Sequence, residues 1–220
     1  MSNSTLFRLS GISLLLGGLL GAVAVALHPS NMIDPANIPV HLALYAAVML
    51  IALGLPGLYA RQAERAGVVG LIGTVVLFFG LVFADPIHSV LEFTVVPVLA
   101  ADPATRPVLA GPPPGLMGPL MIAVPVLLIG LLVTAISSVR AGIFPRWPAA
   151  LGFAAVVMVV VGFALSGPGP SESPVSEIGP ALLYLTMAAF GYVLAANRVR
   201  TAATTGAASH SNSEQVLAAR

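Results

Sequence analysis

Five side chains suited to metal or proton chemistry lie near the ends of apolar stretches: His28, His41, Asp85, His88 and Glu92. Asp85, His88 and Glu92 are spaced three and then four positions apart, so on a helix they share one face. Imidazole and carboxylate suit zinc, iron, manganese and copper, and two histidines from separate helices can hold a haem iron. We therefore predict a cofactor site at His28, His41 and His88, and a metal site at His41, Asp85, His88 and Glu92.

Other interpretations of these residues stay open. A histidine–carboxylate pair also suits quinone or lipid binding, or a proton relay. Each residue has a structural explanation as well. His28 can cap the end of an apolar segment, His41 can hydrogen-bond the loop before it, Asp85 can cap a helix beginning at Pro86, and Glu92 can face water.

The composition excludes several other chemistries. The chain has no cysteine, which excludes disulfides, thiolate-bound zinc and iron–sulfur clusters. It has no lysine either, which excludes a Schiff base and a phosphate-loop lysine. The HExxH, GxSxG and GxxxxGK[ST] motifs are absent from the sequence. We therefore expect a protein that is not an enzyme.

The elements that position the five residues follow from hydropathy. The chain is 58% hydrophobic and only 8% charged, and a bilayer core of about 30 Å needs about 20 apolar residues in a helix. We predict an all-α integral membrane bundle with six transmembrane helices, at 6–27, 39–60, 66–84, 116–138, 148–165 and 180–197. The first is expected to be a span, because its apolar run is longer than a signal-peptide core.

The arginines predict the orientation of the bundle, since cytoplasmic loops are enriched in them. With six spans, only Arg106 falls on the outer side, and all the others fall on the inner side: Arg8, Arg61, Arg65, Arg140, Arg146, Arg198, Arg200 and Arg220. This pattern predicts a multi-pass protein of the bacterial inner membrane with both termini in the cytoplasm. The five candidate residues then lie on the outer side.

One segment on the outer side does not fit a simple span. A straight helix over residues 66–96 would be about 46 Å long, which exceeds the hydrocarbon core. We therefore predict a kink at Pro86 and a short interfacial helix near residues 86–96.

The chain reads as one membrane domain over residues 1–200, followed by a polar cytoplasmic tail at 201–220. The tail has no apolar face, so we expect it to be disordered, with His210 inert. Small-residue pairs, Gly17 with Gly21 and Gly80 with Ala84, predict close helix contacts within the chain, or in a homo-oligomer or membrane complex. Lipid is the expected surroundings, and no nucleic-acid partner is expected.

Two segments carry a resemblance. Residues 54–67, with sequence GLPGLYARQAERAG, and residues 140–147, with sequence RAGIFPRW, resemble the cytoplasmic turns of small polytopic bacterial membrane proteins of unknown function. The resemblance implies a helical bundle, assigns no activity and transfers no functional residue.

Three functions are compatible with these patterns. The first is a non-enzymatic accessory or small-molecule-binding membrane protein whose polar working surface is on the outer side. The second is a haem- or metal-dependent redox protein that uses the outer histidines. The third is a small transporter, although the spans carry no ionisable residue at mid-membrane, which argues against an ion pump.

Overall fold

The computed structural model describes residues 3–31, 33–110, 114–166 and 174–196. Of these residues 90% are helical, and none forms a strand. Five helices are long and apolar enough to cross a membrane, which indicates a multi-pass membrane protein. The predicted tail at 201–220 lies outside the described residues.

The helices have the following bounds. The long ones are α1 (Asn3–Ala26), α2 (Asn37–Val90), α4 (Pro114–Ala141), α5 (Arg146–Ser166) and α6 (Pro174–Ala195). Between α2 and α4 lie a π-helical turn (Leu91–Val95), the short α3 (Val96–Ala101) and a 3₁₀ turn (Arg106–Ala110).

Helix α2 doubles back on itself at Gly67. This residue has φ 56° and ψ −153°, a conformation essentially restricted to glycine. A straight helix over residues 41–88 would separate its ends by about 70 Å, yet the rings of His41 and His88 lie 5.2 Å apart. The two arms of α2, residues 37–66 and 68–90, therefore run antiparallel and side by side.

The predicted interruption between residues 60 and 66 is absent. Helix continues through Arg-Gln-Ala-Glu-Arg-Ala at residues 61–66, because these residue types are mostly strong helix formers. A single glycine makes the turn for which we had predicted a loop.

The helical segments close into a ring. Helix α1 packs against α6 and α2, α2 packs against α4, and α5 packs against both α4 and α6. A Cβ at Gly17 of α1 would meet Ile51 of the first arm, and one at Gly130 of α4 would meet Leu77 of the second arm. The order around the ring is therefore α1, first arm, second arm, α4, α5, α6.

Glycines bring the neighbouring helices of this ring close together. A Cβ at Gly18 would collide with the backbone of Ala188, and one at Gly21 with the ring of Tyr184, both on α6. A Cβ at Gly80 would collide with Leu127 of α4. The predicted small-residue faces of the first and third segments thus serve packing within the chain.

Two helix starts that we predict at prolines are wrong. Helix α2 runs through Pro86 to Val90 with helical backbone angles, so the separate helix predicted near residues 86–96 is absent. Proline removes one helical hydrogen bond, and the bonds on either side of it are enough to continue this buried segment. Similarly, Pro180 lies inside α6, which begins at Pro174.

Candidate functional site

The three histidines predicted as a cofactor site lie in contact with one another. The Nε2 atoms of His28 and His41 are 3.3 Å apart, and their rings meet edge to face with centroids 4.9 Å apart. The ring of His88 stacks on that of His41, with an interplanar angle of 13°. Residues from the end of α1 and from both arms of α2 therefore form one cluster.

A backbone hydrogen bond fixes the tautomer of His41. Its Nδ1 lies 2.9 Å from the carbonyl oxygen of Asn37, one helical turn earlier. A carbonyl only accepts hydrogen bonds, so Nδ1 carries the proton and donates it. In the neutral ring Nε2 of His41 then carries the lone pair, which accepts a hydrogen bond from Nε2–H of His28. His41 is only 2% exposed.

Asp85 is held by a residue that the sequence analysis did not select. The hydroxyl of Tyr184 on α6 donates a short hydrogen bond to Asp85 Oδ2. Tyr184 is 2% exposed, and its ring packs on Gly21 of α1. This hydrogen bond fixes one carboxylate oxygen of Asp85 at the wall of the cluster.

Glu92 lies behind His88 in the π-helical turn. Its Oε1 is 3.5 Å from His88 Nε2, while its buried Oε2 has no hydrogen-bond partner among the described residues. Glu92 is only 5% exposed. A buried carboxylate is costly unless a hydrogen-bond donor or an opposite charge lies beside it. A positive charge near the cluster would therefore stabilise Glu92. π-helical turns often occur at functional sites.

The cluster borders a cavity of about 260 Å³, which we call the histidine pocket. All six segments of the ring contribute to its walls, so it lies on the axis of the bundle, at the end where α1 ends and α6 begins. Its polar lining residues are His28, His41, Asp85, His88, Ser89, Glu177 and Tyr184. Glu92 does not line it.

The charge of the histidine pocket favours cations. Among the residues that the structure describes, two carboxylates, Asp85 and Glu177, line the pocket, and no arginine does. Most of the remaining wall is apolar, with residues such as Leu127, Val159 and Phe163. Apolar walls strengthen electrostatic interactions because they exclude water, so a small positive ligand would be held by imidazole nitrogens and carboxylate oxygens.

The predicted metal set is only partly assembled. Within the described ranges, no group of three or more histidine, aspartate or glutamate side chains is arranged to hold a metal ion. The haem hypothesis for His28, His41 and His88 stays a prediction.

Sequence reasoning selected the histidines and missed Tyr184 and Glu177. Tyr184 lies within an apolar segment of the sequence, where a tyrosine is typical of a packing residue. One signal was available. Tyr184 lies in the second turn of the predicted sixth span, at a depth similar to that of His41 in the second.

Comparison of the chain with known protein families, curated proteins and solved structures finds no match.

Proposed function

We propose that the chain crosses the inner membrane six times, with both termini in the cytoplasm and the histidine pocket on the outer side. The reversal of α2 at Gly67 supports six crossings, since each of its arms is long enough to span the bilayer. The arginine distribution supports the orientation. Arg61 and Arg65 lie next to the reversal, at the end of the bundle opposite the pocket.

We further propose that this protein binds a small cation in the histidine pocket and catalyses no reaction on it. One observation carries the proposal. Three histidines and two carboxylates, from the segment after α1, both arms of α2, and α6, border one cavity, and none of the described arginines lines it. Positions so distant in the sequence meet there only because the bundle folds as a ring.

The size of the pocket limits the ligand. Typical pockets for organic ligands measure about 300–1,000 Å³, and the histidine pocket, at about 260 Å³, falls just below that range. A metal ion with its water, or a small amine, fits this volume. The role we assign is therefore that of a binding or accessory protein in the membrane.

Thermal unfolding of the detergent-purified protein tests this function. Zn²⁺, Mn²⁺ and the diamine putrescine should be compared with phosphate as an anionic probe. At a concentration about 100 times the Kd, a ligand of the folded state stabilises it by about 2.7 kcal/mol. We expect at least one cation to raise the Tm and phosphate to have no effect.

The Asp85→Asn variant is the matched control, because it removes charge and keeps the shape of the side chain. We expect it to unfold cooperatively and to lose most of the cation-induced rise in Tm. The proposal fails if no cation raises the Tm of the native chain, or if the rise is unchanged in Asp85→Asn.

A further inference from the structure

We propose that the cation is a divalent transition metal, bound by Nε2 of His28 and Nε2 of His41, with Asp85 as the carboxylate ligand. This inference rests on the proposed function and specifies its ligand. It assigns His88 and Glu92 a supporting role beside the metal, which differs from their predicted role as ligands.

The separation of the two nitrogens is the first argument. Zinc binds imidazole nitrogen at about 2.0–2.1 Å in a tetrahedral arrangement, which places two such nitrogens about 3.3–3.4 Å apart. The Nε2 atoms of His28 and His41 are 3.3 Å apart. Two of the four positions of a tetrahedral site are therefore already at the required spacing.

The protonation of His41 is the second argument. Its Nδ1–H donates to the carbonyl of Asn37, which is the outer-shell contact that metal-bound histidines usually make. Its Nε2 lone pair accepts a hydrogen bond from Nε2–H of His28 when no metal is bound. A divalent metal ion displaces that one proton into solution and binds the lone pairs of both nitrogens.

Asp85 and Tyr184 repeat this arrangement for an oxygen ligand. The Tyr184 hydroxyl donates a hydrogen bond to Asp85 Oδ2, and carboxylates that bind metals are usually hydrogen-bonded by neighbouring groups in this way. No three described side chains already surround one point. The metal therefore completes its site by drawing in Asp85 and water.

The contact between His88 and Glu92 is the fourth argument, because it places a buried carboxylate near the proposed metal. Glu92 Oε2 is buried without a partner in the described ranges, and the stacked ring of His88 lies between Glu92 and His41. A divalent cation at His28 and His41 offsets this buried negative charge across the intervening ring. The same stacking restricts the orientation of the His41 ring.

Equilibrium dialysis of the full chain against ZnCl₂, after purification without a polyhistidine tag, tests the inference. We expect one Zn²⁺ per chain, and replacement by Co²⁺ should give the visible absorption of a tetrahedral site. His28→Gln and His41→Gln should each weaken binding at least 10-fold. His210→Gln, which changes a histidine of the polar segment after residue 200, should leave binding unchanged.

His41→Gln changes a fully buried side chain and can fail to fold. His28 is only half-buried, so we expect His28→Gln to fold and to give the decisive result. The inference is overturned if Zn²⁺ does not bind, or if it binds His28→Gln as tightly as the native chain. Putrescine separates this failure from failure of the proposed function. If Zn²⁺ does not bind but putrescine raises the Tm of the native chain and not that of Asp85→Asn, the proposal of a cation pocket stands and the proposal of a metal ligand fails.

Discussion

At the residue scale, the proposed binding of a cation gives Tyr184 a role through Asp85. Its hydroxyl fixes one carboxylate oxygen, and its ring fills the space that Gly21 leaves on α1. Tyr184 is therefore a positioning residue whose hydroxyl and ring have separate roles. The two roles can be separated by a variant that keeps only the ring.

In the absence of metal, Tyr184→Phe should lower the free energy of unfolding by no more than about 1–2 kcal/mol, the usual range for a lost hydrogen bond. It should weaken Zn²⁺ binding about 10-fold, as loss of an outer-shell contact typically does. Dialysis and thermal unfolding measure the two effects.

Tyr59→Phe is the control, because Tyr59 donates only a long bond of 3.4 Å to Gly67, far from the pocket. It should bind Zn²⁺ like the native chain. A loss of affinity that is equal in Tyr59→Phe and Tyr184→Phe would contradict the positioning role.

The sequence predicted which residues have suitable chemistry, and it did not predict how they pair. His28, His41 and His88 are recognisable because they interrupt or end apolar runs. The stacking of His88 on His41 and the tautomer of His41 depend on how the arms of α2 lie against each other and on local carbonyls. Neither is encoded in residue spacing.

At the element scale, Gly67 determines the topology. Nothing lies within 4 Å of the position that a Cβ would take there, so the requirement for glycine comes from the backbone angles alone. Any other residue would strain the reversal that brings His41 and His88 together.

Gly67→Ala should destabilise the protein by about 1–3 kcal/mol, the typical cost of a non-glycine residue in a sparsely populated backbone region. Gly118→Ala is the matched control, because its Cβ also meets nothing within 4 Å while its backbone is helical. It should stabilise α4 by about 0.5–1 kcal/mol. Thermal unfolding compares the two variants, and equal effects of the same sign would refute this explanation of the turn.

The helix boundaries show where sequence patterns are reliable. Apolar length predicted the regions that become helix, because a membrane-length apolar run must satisfy its own backbone hydrogen bonds. Prolines predicted helix starts less reliably. Pro86 and Pro180 lie inside helices, because a proline removes only one helical hydrogen bond and the bonds on either side continue the helix.

At the scale of the whole molecule, the ring has a polar end and an apolar middle. Beyond the histidine pocket, large fully buried side chains such as Leu131, Met187 and Phe190 fill the bundle. Nearer the opposite end, buried polar atoms of Gln62 and Ser138 have no hydrogen-bond partner among the described residues.

These polar atoms keep the transporter hypothesis as a prediction, because they could face a passage in a second conformation. Uptake of Zn²⁺ into proteoliposomes that contain a fluorescent zinc indicator tests it. If the native protein and Asp85→Asn give the same uptake as empty vesicles, the protein binds the cation without moving it.

Both proposals depend on six crossings that place the histidine pocket outside the cytoplasm. Because the chain has no cysteine, single-cysteine variants can be labelled in intact cells with a membrane-impermeant maleimide. The informative positions are the exposed Ala104 between α3 and α4, the exposed Glu64 near the reversal of α2, and Ser211 in the tail.

We predict that Ala104→Cys is labelled in intact cells, and that Glu64→Cys and Ser211→Cys are labelled only after the membrane is permeabilised. Labelling of Ser211→Cys in intact cells, or labelling of Ala104→Cys and Glu64→Cys from the same side, would contradict the six-span arrangement and the outer position of the pocket.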